Sequence, residues 1–178
     1  MQSERVIEDA EGEATPLERV VSHQGTLSRL VRGKNINETT LLATDYLNHF
    51  NEIIMVLELV PDMPDCLEEA QAWSPKSYVD HFKDSSFADK ELAILAYENA
   101  PPVHRVPFDR VVASMDELVA KGLADIAVAT EAGDSDALRF LIETVTGKLR
   151  RLIDMASAII HGSKHTMDQD EIDRIMAY

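Results

Sequence analysis

A single cysteine, Cys66, stands among the 178 residues. It cannot close an internal disulfide, and it fits none of the spaced-cysteine patterns of zinc or iron-sulfur sites. A reducing, cytoplasmic setting is the expectation that follows. Glycine is sparse too: Gly25, Gly33, Gly122, Gly133, Gly147 and Gly162 stand apart from one another, so they assemble no phosphate-cradling loop. No Gly-x-Ser-x-Gly elbow occurs, which removes a common setting for a serine nucleophile. Basic charge is outnumbered, with 17 Lys and Arg against 32 Asp and Glu and a net charge of -15. Such a surface repels phosphate backbones and anionic head groups, so nucleic acid is not an expected partner. Long apolar runs are missing as well. The most apolar stretch, Ile53 to Leu57, falls far short of the roughly 20 residues of a membrane helix. The first residues, MQSERVIEDAEGE, are acidic where a secretory signal needs a basic start and an apolar run. Neither membrane insertion nor export is expected. Nor does any useful length alternate apolar and polar residues between turn signals, so no strands are predicted.

What is present is helical periodicity. Residues 1–15 are charged and aperiodic and read as disordered. From Pro16 to Arg32, Leu17, Val20, Val21, Leu27, Leu30 and Val31 have broadly helical spacing, with Arg29, Arg32 and Lys34 at the end. This short basic helix completes a first segment, 1–34. Asn37, Glu38 and Thr40 carry a capping signal for a helix over Glu38–Val60, closed by Pro61 and Pro64. The stretch from Pro61 to Ser86 reads as a structured connector in which Leu67–Trp73 and Ser77–Phe82 each make a short helix. Its aromatics, Trp73 and Tyr78, either anchor the connector to the core or offer a partner surface. Ser86 can cap a helix over Phe87–Asn99, ended by Pro101 and Pro102.

Pro107 suits the first turn of a long helix in which Phe108, Val111, Val112, Met115, Leu118, Val119, Leu123 and Ile126 recur at three and four. After the turn EAGDSD at 131–136, Leu138, Leu141, Val145, Leu149, Leu152, Ala156 and Ile159 repeat close to every 3.5 residues up to Gly162. The predicted fold class is all-α. It is an antiparallel helical bundle of about four main helices over 35–162, with 163–178 forming a linker and a detached short C-terminal helix.

That last helix carries the first functional signal. Thr166 or Asp168 can cap it, acids fill its first turn, and Met167, Ile172, Ile175 and Met176 lie on one side. Such a narrow apolar stripe serves either to fold back on the chain's own bundle or to dock into a partner's groove, and pattern alone favours the first. The string Met167-Asp-Gln-Asp-Glu-Ile-Asp-Arg-Ile-Met176 resembles the SQxEIDALL segment of the flagellar switch protein FliM and the SQDQVDDLL segment that ends the chemotaxis phosphatase CheZ. Gln169, Asp170 or Glu171, Ile172, Asp173, Ile175 and Met176 match in identity or type. Asp168 stands where those families have serine, and Arg174 where they have a small or acidic residue. The resemblance implies a CheY-like response regulator as partner, bound through Met167, Gln169, Glu171, Ile172, Asp173, Ile175 and Met176.

The second signal lies in the Glu38–Val60 helix, where Leu41, Asp45, Asn48, Glu52, Met55 and Leu59 would share one face, with His49 beside Asn48. Three readings stay open. The groups are a solvated face; or His49 and Glu52 share a metal in a carboxylate bundle, although no Glu-x-x-His pair supports it; or they act on a partner's phosphate. A phosphatase acting on a receiver needs mainly an amide to orient the attacking water and a carboxylate to engage the receiver's lysine. Asp45-x-x-Asn48 resembles the Glu-x-x-Asn of CheX- and CheC-type phosphatases, and Asn48-x-x-x-Glu52 is similar to the CheZ Asp-x-x-x-Gln with its roles exchanged.

These resemblances imply a chemotaxis or flagellar signalling protein that binds a CheY-like receiver through its C-terminal helix and promotes loss of its phosphate, with Asp45, Asn48 and Glu52 as the candidate catalytic groups. It would have no cofactor of its own; the Mg2+ ion belongs to the receiver. The alternatives are a non-catalytic receiver adaptor and the metal-carboxylate bundle. Oligomeric state is left open, a homodimer included.

Overall fold

The structure, a computed structural model, describes residues 16–163 and 169–177, with side chains from residue 23 onward. The acidic start at 1–15, the linker residues 164–168 and, with them, Met167 lie outside the described residues. Among the described residues, eight α-helices follow one another: α1 (Pro16–Leu30), α2 (Asn48–Leu59), α3 (Cys66–Ala72), α4 (Tyr78–Asp84), α5 (Lys90–Glu98), α6 (Pro102–Ala132), α7 (Ser135–Ile160) and α8 (Gln169–Met176), with a 3-10 turn at Thr44–Leu47 leading into α2. No strand occurs among the described residues, as the patterning predicts.

The frame is the pair α6 and α7. Gly133 ends α6 in the left-handed region at φ 69°, and Asp134 caps α7 by accepting a 2.9 Å hydrogen bond from the Ala137 N–H. Phe108, Val111, Met115, Val119 and Ile126 of α6 and Leu149, Leu152, Ala156 and Ile159 of α7 are buried as their spacing requires. The two helices pack tightly at Gly122, where an added Cβ would stand 2.9 Å from the Val145 methyls. α6 begins earlier than predicted, with Pro102 in its first turn and Pro107 inside it. The N–H that Pro107 lacks would have met Val103, which is largely exposed to water, so the helix tolerates the ring there.

The Glu38–Val60 helix is shorter than its capping signal suggests. Asn37 does cap a turn, its Oδ1 accepting from the N–H groups of Thr39 and Thr40 at 2.9 Å each. The turn then stops, with Leu41 at φ 59° and Ala43 extended, and α2 begins only at Asn48. Two tertiary bonds hold the chain open. The Thr40 hydroxyl donates to the Ile160 carbonyl at the end of α7 at 2.6 Å, and the Ala43 N–H donates to the Tyr78 hydroxyl at 2.8 Å. Both short helices expected in the connector form, as α3 and α4, and Ser77 caps α4 by accepting from the Asp80 N–H.

The detached C-terminal helix is corrected by the structure. Helix α8 is docked on α6 and α7, with Ile172 and Ile175 buried to 4% and 2% exposure in the common core and Met176 packed against it. Eight residues cannot hold a helix alone in water, so these apolar contacts sustain it.

Candidate functional site

α2 turns two faces to different environments. Phe50, Ile53, Ile54 and Leu57 enter the core, while Asn48, Glu52, Met55 and Leu59 are exposed. Asp45 stands half-buried in the 3-10 turn ahead of them. Leu41, expected on the same stripe, is buried outside any helix. Asp45, Asn48, His49 and Glu52 line a cavity of about 580 Å3, closed on its other side by Lys76, His81, Asp84 and the Ser85–Ala88 loop. The three predicted catalytic residues are therefore brought together, on the wall of a recess.

The recess is built by the connector. Trp73 stacks on the His49 ring at 4.6 Å and 22°, and its Nε1 donates to the His49 carbonyl at 3.2 Å. That contact anchors the connector to α2, and Tyr46 adds a second tie by donating its hydroxyl to the Lys76 carbonyl at 2.8 Å. His81, one turn along α4, then lies with its ring 6.0 Å from that of His49.

Burial decides the charge state of both histidines. It lowers the His49 pKa from 6.5 to about 4, helped by His81 and Lys76 and opposed by a hydrogen bond with the Ser74 backbone. The His81 pKa is also lowered by burial, against a hydrogen bond with the Asp45 backbone and the nearby Glu52 and Asp45 charges. Both rings are neutral at pH 7. Lys76, 2.9 Å from Asp84, holds that carboxyl below its ordinary range. The recess thus offers two carboxylates and an amide on one wall and neutral imidazoles behind them. Chemically, it can accept hydrogen bonds and orient a water molecule.

His49 is 5% exposed, too enclosed to act as a phosphoryl acceptor, and its Nε2 has no hydrogen-bond partner among the described residues. Among the described residues, no group of three or more His, Cys, Asp or Glu is placed to hold a metal ion, around His49 and Glu52 or elsewhere.

On α8 the candidate partner residues divide. Gln169 and Asp173 face solvent and bond each other at 2.9 Å, Glu171 is half-buried, and Ile172 and Ile175 face the protein's own bundle. Lys76, His81 and Asp84 are not among the site residues expected from the sequence. The one signal that could have found them is the Ser77 cap, which fixes the start of α4 and so which way His81 faces. Comparison with models of protein families, with curated proteins and with solved structures gives no match.

Proposed function

We propose that this chain binds a CheY-like response regulator through the helix Gln169–Met176 and hastens loss of the receiver's phosphate with Asp45 and Asn48. The observation that carries the catalytic half is the open face of α2. Asn48 and Glu52 are exposed beside Asp45, and the exposed Met55 and Leu59 continue that face, so a docking protein can reach acid, amide and apolar surface together. Lys76, which also lines the recess, is held by Asp84, and the neutral histidines leave the carboxylates free to meet a cation from outside. In this reading the Asn48 amide orients the attacking water, Asp45 or Glu52 engages the receiver's lysine, and the receiver supplies the Mg2+.

The docked state of α8 sets a condition on the binding half. Ile172 and Ile175 cannot fill the bundle's groove and a receiver's groove at once, so receiver binding competes with docking. The measured affinity falls by the fraction of molecules in which α8 is free. Once bound, the tether raises the receiver's local concentration at α2.

The test is phosphate loss from a phosphorylated CheY-like receiver. The full chain should accelerate it, and Asn48→Ala should keep binding while losing most of the acceleration. An unchanged phosphate lifetime with the full chain would remove the catalytic half. What is left then is the adaptor, which one observation favours: Asp45 is half-buried in the wall of a recess instead of standing on a ridge.

A further inference from the structure

A second cavity, of about 370 Å3, is walled by Tyr46, Tyr78, Tyr97 and Phe108 together with Asp109 and Asp116. Most of this wall is already committed. Tyr97 stacks on Tyr78 at 4.3 Å, carries the Arg105 guanidinium 4.3 Å from its ring centre, and donates its hydroxyl to Asp109 at 2.9 Å. Arg105 also lies 3.6 Å from Asp109. Asp109 is therefore neutralised within the protein.

Asp116 is not. Its Oδ1 is buried with no hydrogen-bond partner among the described residues. Lys76 reaches the same cavity, but its ammonium is held 2.9 Å from Asp84. Burial alone raises the Asp116 pKa from 3.8 to about 6, so near neutral pH the group carries a charge that nothing in the cavity balances. An unpaired, half-buried carboxylate is costly, and a cation that reached it would recover that cost.

The rest of the lining selects among cations. A hard divalent ion wants six or more oxygen ligands, which one carboxylate among aromatic rings does not supply. A cation with an apolar body can use both parts of the wall, and the volume lies within the range of small-molecule sites. Ser77 and Ala113 are exposed and also line the cavity, so it is reachable from solvent.

We propose that this cavity binds a small organic monocation, a primary ammonium on an apolar body, with the nitrogen paired to Asp116 and the body lying against Pro75, Val112 and Ala113, the accessible apolar part of the lining. The site is separate from the acid and amide groups of α2 and does not depend on the reading given to them.

The experiment titrates full-length protein near neutral pH with 2-phenylethylammonium chloride and, in parallel, with neutral 2-phenylethanol, following binding by calorimetry and chemical shifts. The ammonium should bind saturably and the alcohol about tenfold or more weakly, and Asp116→Asn should remove that preference. If the variant fails to fold, the two probes on the unaltered protein still decide. Equal affinity for the two probes, no saturable binding of the ammonium, or an Asp116→Asn protein that keeps the preference would each overturn the proposal.

Discussion

Helices α7 and α8 present the same chemistry to the core, apolar side chains at three- and four-residue spacing, but on different scales. α7 runs for 26 residues and buries Leu149, Leu152, Ala156 and Ile159 completely, whereas α8 has 8 residues and depends on Ile172 and Ile175. Removing α7 would expose the whole facing side of α6. Removing α8 would uncover the shorter stretch of α6 and α7 on which it docks, the surface around Met155 included. The difference separates an element that makes the fold from one that occupies a groove on it, and only the second can be exchanged for a partner at modest cost.

Leu149→Ala is the largest expected effect. It should cost about 2–5 kcal/mol and lower the Tm of the whole chain in one transition. Ile175→Asp should cost less, about 1–2 kcal/mol, and act locally: hydrogen exchange should show α8 amides losing protection while α6 and α7 keep theirs. If both variants lower the Tm equally, the contrast between the helices is wrong.

Acid sharpens the comparison because it attacks the bundle instead of α8. His49 has a folded-state pKa of about 4 against 6.5 unfolded, so the unfolded chain takes up its proton first. Its contribution is present above pH 6.5 and is lost as pH falls toward 4, by roughly 2–3 kcal/mol. Asp116 acts in the opposite direction. Its folded pKa of about 6 lies above 3.8, so it binds its proton first in the folded chain and gives up stability as pH rises through that window. The two should partly cancel in the unaltered protein. Asp116→Asn should raise stability at pH 7 by about 1 kcal/mol and leave a steeper acid loss between pH 6.5 and 4, measured by denaturant unfolding across pH. A flat profile in that variant contradicts the assignment. Asn48→Ala, at an exposed position, should change stability by under about 0.5 kcal/mol, which makes it a clean probe of phosphate loss.

How much of this was readable from sequence varied with how local the cause was. The α6–α7 pair was legible because Phe108 to Ile126 and Leu138 to Ile159 keep a helical period over many turns. The start of α2 was not, because the Asn37 cap is real but Thr40 and Ala43 are claimed by Ile160 and Tyr78, partners far along the chain. Asp45, Asn48 and Glu52 were legible as one face, but the recess they line was not, since Lys76, His81 and Asp84 reach it through the connector. The stripe on α8 was clear, yet it suits the bundle's groove as well as a partner's, and periodicity cannot choose between them. Asp116 carries no signal in the sequence, because the cavity it lines with Tyr46 and Phe108 exists only in the folded chain.

The most direct test is the affinity of a phosphorylated CheY-like receiver for the full chain, for the chain lacking residues 164–178, and for Ile175→Asp. Saturable binding to the full chain that both alterations abolish is the predicted result. Undiminished binding to the shortened chain, or no binding to any of the three, would mean that α8 is simply the last packed helix of this bundle.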